Sequence, residues 1–118
     1  MSDATFYERL LALEREGTAF VLVVLAESLG STPQDSGAKM LVTTAGLHTG
    51  TVGGGKVEAK AIEVASEMLQ AAAAETRFVN WTLKTDVGMT CGGSVKLYFE
   101  PHPAGGAGAT WPIWIFGA

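Results

Sequence analysis

Cysteine is nearly missing from this chain: one thiol, Cys91, in 118 residues. A lone cysteine closes no internal disulfide and builds no multi-cysteine zinc site. Charge is scarce too, at 17% of residues, and leans acidic, with twelve acids against eight bases for a net charge of −4. Nucleic-acid modules show the opposite balance, so no nucleic-acid partner is expected. No apolar run is long: the longest, Ala19 to Ala26, falls far short of the roughly 20 residues of a membrane helix, so no membrane partner is expected. The opening MSDATFYERL lacks the basic-then-apolar order of a secretory signal, and the reading is cytoplasmic. His48 and His102 are far apart, without metal-ligand partners at useful spacing. There is no G-x-S-x-G nucleophile motif and no paired acid and base, so a hydrolase has no positive support and no catalytic residue is assigned.

What is present is core material. At 47% hydrophobic, the chain is too apolar to stay disordered, and its length fits one compact domain. Residues 3–16 carry Phe6, Leu10 and Leu13 at helical spacing, with Tyr7 and Leu11 alongside. The eight-residue run from Ala19 to Ala26 suits a central strand buried on both faces. KMLVTT from Lys39 and LHTGTV from Leu47 read as a hairpin about Ala45-Gly46. Alanine-rich residues 57–73 read as a second helix. Residues 76–84 and 94–100 read as strands, the latter alternating Val95, Leu97 and Phe99 with polar positions. The expected fold is α/β, a two-layer mixed sheet of four or five strands with two main helices. Residues 1–101 form the domain, 102–110 (HPAGGAGAT) a Gly/Pro-rich linker, and 111–118 (WPIWIFGA) a terminal strand or the start of a further unit. That apolar strand predicts association into a homodimer.

Three glycine-rich stretches punctuate the elements: Gly30–Gly37, Gly53–Gly55 and Thr85–Gly93. In the second, a strand, a glycine turn and a helix follow one another. Converging backbone N–H groups and the helix dipole there suit a phosphate or carboxylate, and Lys56 adds a charge. A tight turn that uses glycine for its backbone angles explains the same residues. Gly50 to Lys56 also fits G-x-x-x-x-G-K, but Val57 stands where Ser or Thr must hold magnesium, which argues against a nucleotide hydrolase. Cys91, in GMTCGG, offers a soft thiolate that glycines leave approachable, though cysteine is commonly an inert buried residue. Asp35, Lys39, Glu58 and Asp86 flank these loops as ligand-positioning candidates or ordinary loop charges. Glu58 also suits the first turn of its helix through the dipole.

The blocks GSTPQDSGAKMLV, GTVGGGKVEAKAIEVA and GMTCGGSVKLYFEP, in this order, resemble the xanthine dehydrogenase accessory protein family, XdhC/CoxI. The resemblance covers most of residues 20–101. It implies a maturation chaperone that binds molybdenum cofactor (molybdopterin) transiently while its terminal sulfur is installed. Such a chaperone passes the cofactor to a xanthine dehydrogenase-type molybdenum hydroxylase and takes sulfur from a cysteine desulfurase. Cys91 matches the family's GM-x-CGG cysteine and is expected to contact molybdenum, with Gly92 and Gly93 beside it. Gly53, Gly54, Gly55 and Lys56 fall in the family's glycine block, and holding the pterin's phosphate there is a physical inference. Family members usually continue into a Rossmann-like domain, and WPIWIFGA looks like its first strand. Two alternatives stand beside this reading: a protein–protein adaptor that holds no cofactor, and a fragment of a dinucleotide-dependent oxidoreductase. The latter lacks a complete fingerprint.

Overall fold

The computed structural model describes residues 3–30, 37–53, 55–88 and 92–103. In chain order these form α1 (Asp3–Glu16), β1 (Phe20–Gly30), β2 (Lys39–Thr43), β3 (Gly46–Gly50), α2 (Gly55–Gln70), β4 (Arg77–Thr82), a π-helical turn (Leu83–Val87) and β5 (Gly93–His102). The five strands make one sheet in the order β3-β2-β1-β5-β4. The long apolar run thus becomes the middle strand, as its composition requires.

Every neighbouring pair runs antiparallel, so the expected mixture of strand directions resolves into one sense. The cause is the path of α2. It carries the chain from β3 at one edge to β4 at the other, so β3 and β4 share a direction without touching. β5 then returns between β4 and β1.

The layers number three where two were expected. Val21, Val23 and Leu25 of β1 face α2, together with Met40, Val42, Leu97 and Phe99 from neighbouring strands, and meet Val57, Ala61, Ala65 and Met68. Phe20 and Leu22 point to the other side, where Leu41 joins them beneath Phe6, Leu10 and Leu13 of α1. A strand apolar on both faces needs cover on both, and the two helices divide the task. Tyr7 and Leu11, beside the α1 stripe in sequence, remain exposed. Phe99 and Leu97 are fully buried, and truncating such a side chain to alanine costs about 2–5 kcal/mol.

Two departures from the sequence reading shape one end of the sheet. β1 continues through Gly30 where a loop was expected, because it pairs with β5 along its whole length, Gly30 opposite Gly93, with Ala26 bulged between Leu25 and Glu27. The stretch from Thr85, expected as loop, is partly the π-helical turn. Gly88 N–H closes it on the Leu83 carbonyl, and the Thr82 N–H donates to Asp86 Oδ2 at 2.8 Å. Gly50, at the end of β3, is required sterically: a Cβ there would stand 2.3 Å from the Lys39 carbonyl oxygen. His102, read as the first residue of the linker, instead ends β5; residues 31–36 and 104–118, with the rest of the linker beyond Pro103 and the terminal-strand reading, lie outside the described residues.

Candidate functional site

Antiparallel connectivity decides where the glycine blocks go. β1, β3 and β4 run the same way, so Gly30, Gly50 and Thr82 leave the sheet at one end, and β5 enters there at Gly93. The described flanks of the three glycine blocks therefore lie at one end of the sheet. Gly30, opening the first block, pairs with Gly93, closing the third. The second block joins the third through a side chain: Lys56 Nζ donates to the Gly88 carbonyl oxygen at 3.0 Å, across 32 residues of sequence.

The turn into α2 is built by a residue that the sequence left without a chemical role. Glu58 Oε1 accepts the Val52 N–H at 3.2 Å and the Thr51 hydroxyl in a short hydrogen bond. Thr51 Oγ1 in turn accepts the Gly53 N–H at 3.1 Å. A carboxylate in the first turn of α2 also has the favourable sign for the helix dipole. The chain's own anion therefore organises this turn, and Thr51, which the sequence reading passed over, is its partner. A threonine two residues before a glycine run, with a glutamate in the first turn of the following helix, is the signal that was there to be found. Gly55 starts the helix at φ +59°, and a Cβ built on it meets nothing within 4 Å; the same space stands open over Gly92.

The remaining candidates separate by location. Lys56 and Gly55 are exposed on this surface, with Gly53 and Gly92. Gly54 and Cys91, together with Met89 and Thr90, lie outside the described residues, as does Asp35. Lys39 is held locally, donating to the Gly37 carbonyl at 3.1 Å with its ammonium 5.9 Å from the Tyr7 ring centroid. Asp86 is spent on the π-helical turn. His48 Nδ1 sits 2.7 Å from Thr49 Oγ1 on its own strand. Among the described residues no group of three or more His, Cys, Asp or Glu could hold a metal ion.

A second polar cluster lies at the opposite end of the sheet. His102 is stacked on Phe20, ring centroids 4.5 Å apart, and its Nε2 stands 2.9 Å from Glu100 Oε1. The Tyr98 hydroxyl donates to Glu100 Oε2 at 2.9 Å. The contact with His102 holds the Glu100 carboxyl below the usual glutamate range, and burial pushes the Tyr98 hydroxyl up. Nearby, Ala19, Leu69, Ala73 and Pro101 line an apolar cavity of about 130 Å³. Neither feature reaches the glycine loops.

No helix among the described residues is long and apolar enough to cross a membrane. The fold matches a crystal structure of a Bacillus halodurans protein described as a xanthine dehydrogenase, with a TM-score of 0.69 over 86% of this chain and 30% of that one, at 24% identity. In sequence the chain is 35% identical over 94 residues to the protein YqeB of Escherichia coli K12, covering 76% of this chain. It spans 17% of that relative's length, so it corresponds to a small part of a longer protein. The family model described as XdhC and CoxI family matches residues 13–80, from the end of α1 through the glycine turn into β4. This chain belongs to the XdhC and CoxI family.

Proposed function

We propose that the chain is an accessory protein that holds molybdenum cofactor while its terminal sulfur is installed, then passes it to a xanthine dehydrogenase-type molybdenum hydroxylase. The observation that carries this reading is the Lys56–Gly88 hydrogen bond, which joins the glycine turn and the stretch leading to Cys91 in one surface. The groups there suit such a ligand. Open space over Gly55 and Gly92 lets a flat ring or a phosphate approach the backbone closely. Lys56 is exposed, and its acceptor is a neutral carbonyl; a phosphate offers the ammonium a stronger, charge-assisted bond. In this reading Cys91 supplies the soft thiolate that molybdenum favours, and Gly53, Gly54, Gly92 and Gly93 belong to the cofactor-binding set.

The bound cofactor would bring the redox chemistry that the target enzyme uses. The chain's own residues bind, orient and shield it, and none is assigned a proton-transfer role. A cysteine desulfurase is the sulfur donor in this reading, and the cytoplasm is where the exchange takes place.

Anaerobic co-purification with molybdenum cofactor supplied tests this, reading molybdenum and pterin per chain. Near-stoichiometric loading of the wild type is expected, reduced several-fold by Cys91→Ser and by Lys56→Met. Equal loading of all three would remove both residues from the site.

One observation favours a second reading, an adaptor that docks the target enzyme without holding cofactor. Glu58 already places a carboxylate against the donors of the glycine turn. Capture of the target enzyme by folded protein that takes up neither metal nor pterin would decide for it.

A further inference from the structure

The two edges of the sheet are finished differently. β3 begins and ends in glycine, shifts register where Leu41 gives way to Val42 in its partner, and lies against α1. Bulges and covering elements are means by which natural sheets close an edge to further pairing. β4 has neither. Its register with β5 runs unbroken from Arg77 opposite Phe99 to Thr82 opposite Ser94. It contains no proline, and its only charge, Arg77, stands at its first position. Phe78 is 69% exposed, with its ring edge-on to Tyr98 at 4.9 Å. On such a strand every second residue turns its N–H and C=O away from the sheet, ready to pair.

We infer that β4 pairs with β4 of a second copy, antiparallel, about a two-fold axis normal to the sheet and midway between the two Asn80 residues. Directly opposed residues of an antiparallel ladder share a face, so a symmetric pairing must match positions of equal parity. Four registers of this kind lie near the middle of the strand, and centring on Trp81 leaves Phe78 and Val79 outside the ladder. Centring on Phe78 leaves Trp81 outside the ladder. Centring on Val79 sets Arg77 against the partner's Trp81, whose ring already carries the Lys60 ammonium at 5.2 Å from its centroid. Two cations would then crowd one indole. Centring on Asn80 avoids this conflict. It sets Val79 against the partner's Trp81, and Trp81 against the partner's Val79, all on the α2 side, where both residues pack against the core. Asn80 meets its own copy on the other face, and Phe78 meets the partner's Thr82. The register is thus selected by charge and by apolar matching, and the two cores become continuous across a ten-stranded sheet.

The test uses the 118-residue chain. Light scattering under reducing conditions should give twice the chain mass for the wild type and the single chain mass for Val79→Lys, with near-UV circular dichroism confirming that the variant is folded. In a Cys91→Ser background, Asn80→Cys should form an intermolecular disulfide on oxidation, because the axis places the two Cα atoms opposite one another. Phe78→Cys should not. If Val79→Lys fails to fold, the cross-linking pair decides alone. A monomeric wild type overturns the proposal. So does a dimer that survives Val79→Lys, cross-links as well through Phe78→Cys as through Asn80→Cys, or is lost only when residues 111–118 are removed.

Discussion

Lys56 and Gly88 are 32 residues apart in sequence and 3.0 Å apart in space, the lysine ammonium resting on the glycine carbonyl. This bond ties the start of α2 to the end of the π-helical turn. Lys56→Met keeps the length of the side chain and removes the donor. Because the bond is exposed, the loss of stability should stay below about 1 kcal/mol. Amide exchange across residues 82–88 should nevertheless quicken. Unchanged exchange would mean that the contact positions nothing.

Thr51 and Glu58 form the second fixed point of the site. Since Glu58 accepts both the Thr51 hydroxyl and the Val52 N–H, Glu58→Ala should cost about 1–2 kcal/mol. Thr51→Val should cost less. The two effects should be coupled by at least about 0.5 kcal/mol in a double-mutant cycle of urea denaturation, as expected of residues in one network. Additive losses would show that the residues act separately.

Two glycines of the same turn should respond differently to alanine. At Gly50 the added Cβ meets the Lys39 carbonyl at 2.3 Å with φ at +80°, whereas at Gly55 it meets open space at φ +59°. Gly55→Ala should therefore cost only the left-handed backbone penalty, about 1–2 kcal/mol. Gly50→Ala adds a backbone clash and should lower the thermal midpoint considerably further. Equal midpoints would contradict the close approach of β2 and β3 at this point.

The cluster at the far end of the sheet gives the chain a pH signature. The Glu100 carboxyl is held below its ordinary value of 4.5, first by His102 and also by Tyr98. A depressed carboxyl binds fewer protons folded than unfolded, so its contribution is present above about pH 4.5 and is lost as pH falls through the lower folded value. Glu100→Gln should flatten the acid limb of stability against pH. Tyr98, raised above 10.0 mainly by burial, has the opposite sense: its folded state keeps the proton longer, and stability falls as pH rises above that value. Tyr98→Phe should remove the alkaline fall. An acid limb in Glu100→Gln identical to that of the wild type would assign the effect to other carboxylates.

Sequence alone determined what is encoded locally. The spacing of Phe6, Leu10 and Leu13 set the buried side of α1, and the run through Phe20 and Val23 made β1 the middle strand. The alternation of Val95, Leu97 and Phe99 set the core face of β5. Periodicities of two and 3.6 residues survive in any tertiary setting because side-chain direction follows backbone conformation. The three glycine blocks and their order were equally legible, and they carried the family. Only the tertiary structure decided that the helices take opposite faces, that Gly30 stands opposite Gly93, and that Lys56 reaches Gly88. It also decided that Glu58 serves Thr51 and Val52 as well as the helix dipole. These relationships depend on strand order and on the crossing of α2 from one sheet edge to the other. Both follow from burying two apolar faces of one sheet at once, a condition on the whole chain that no short stretch of sequence contains.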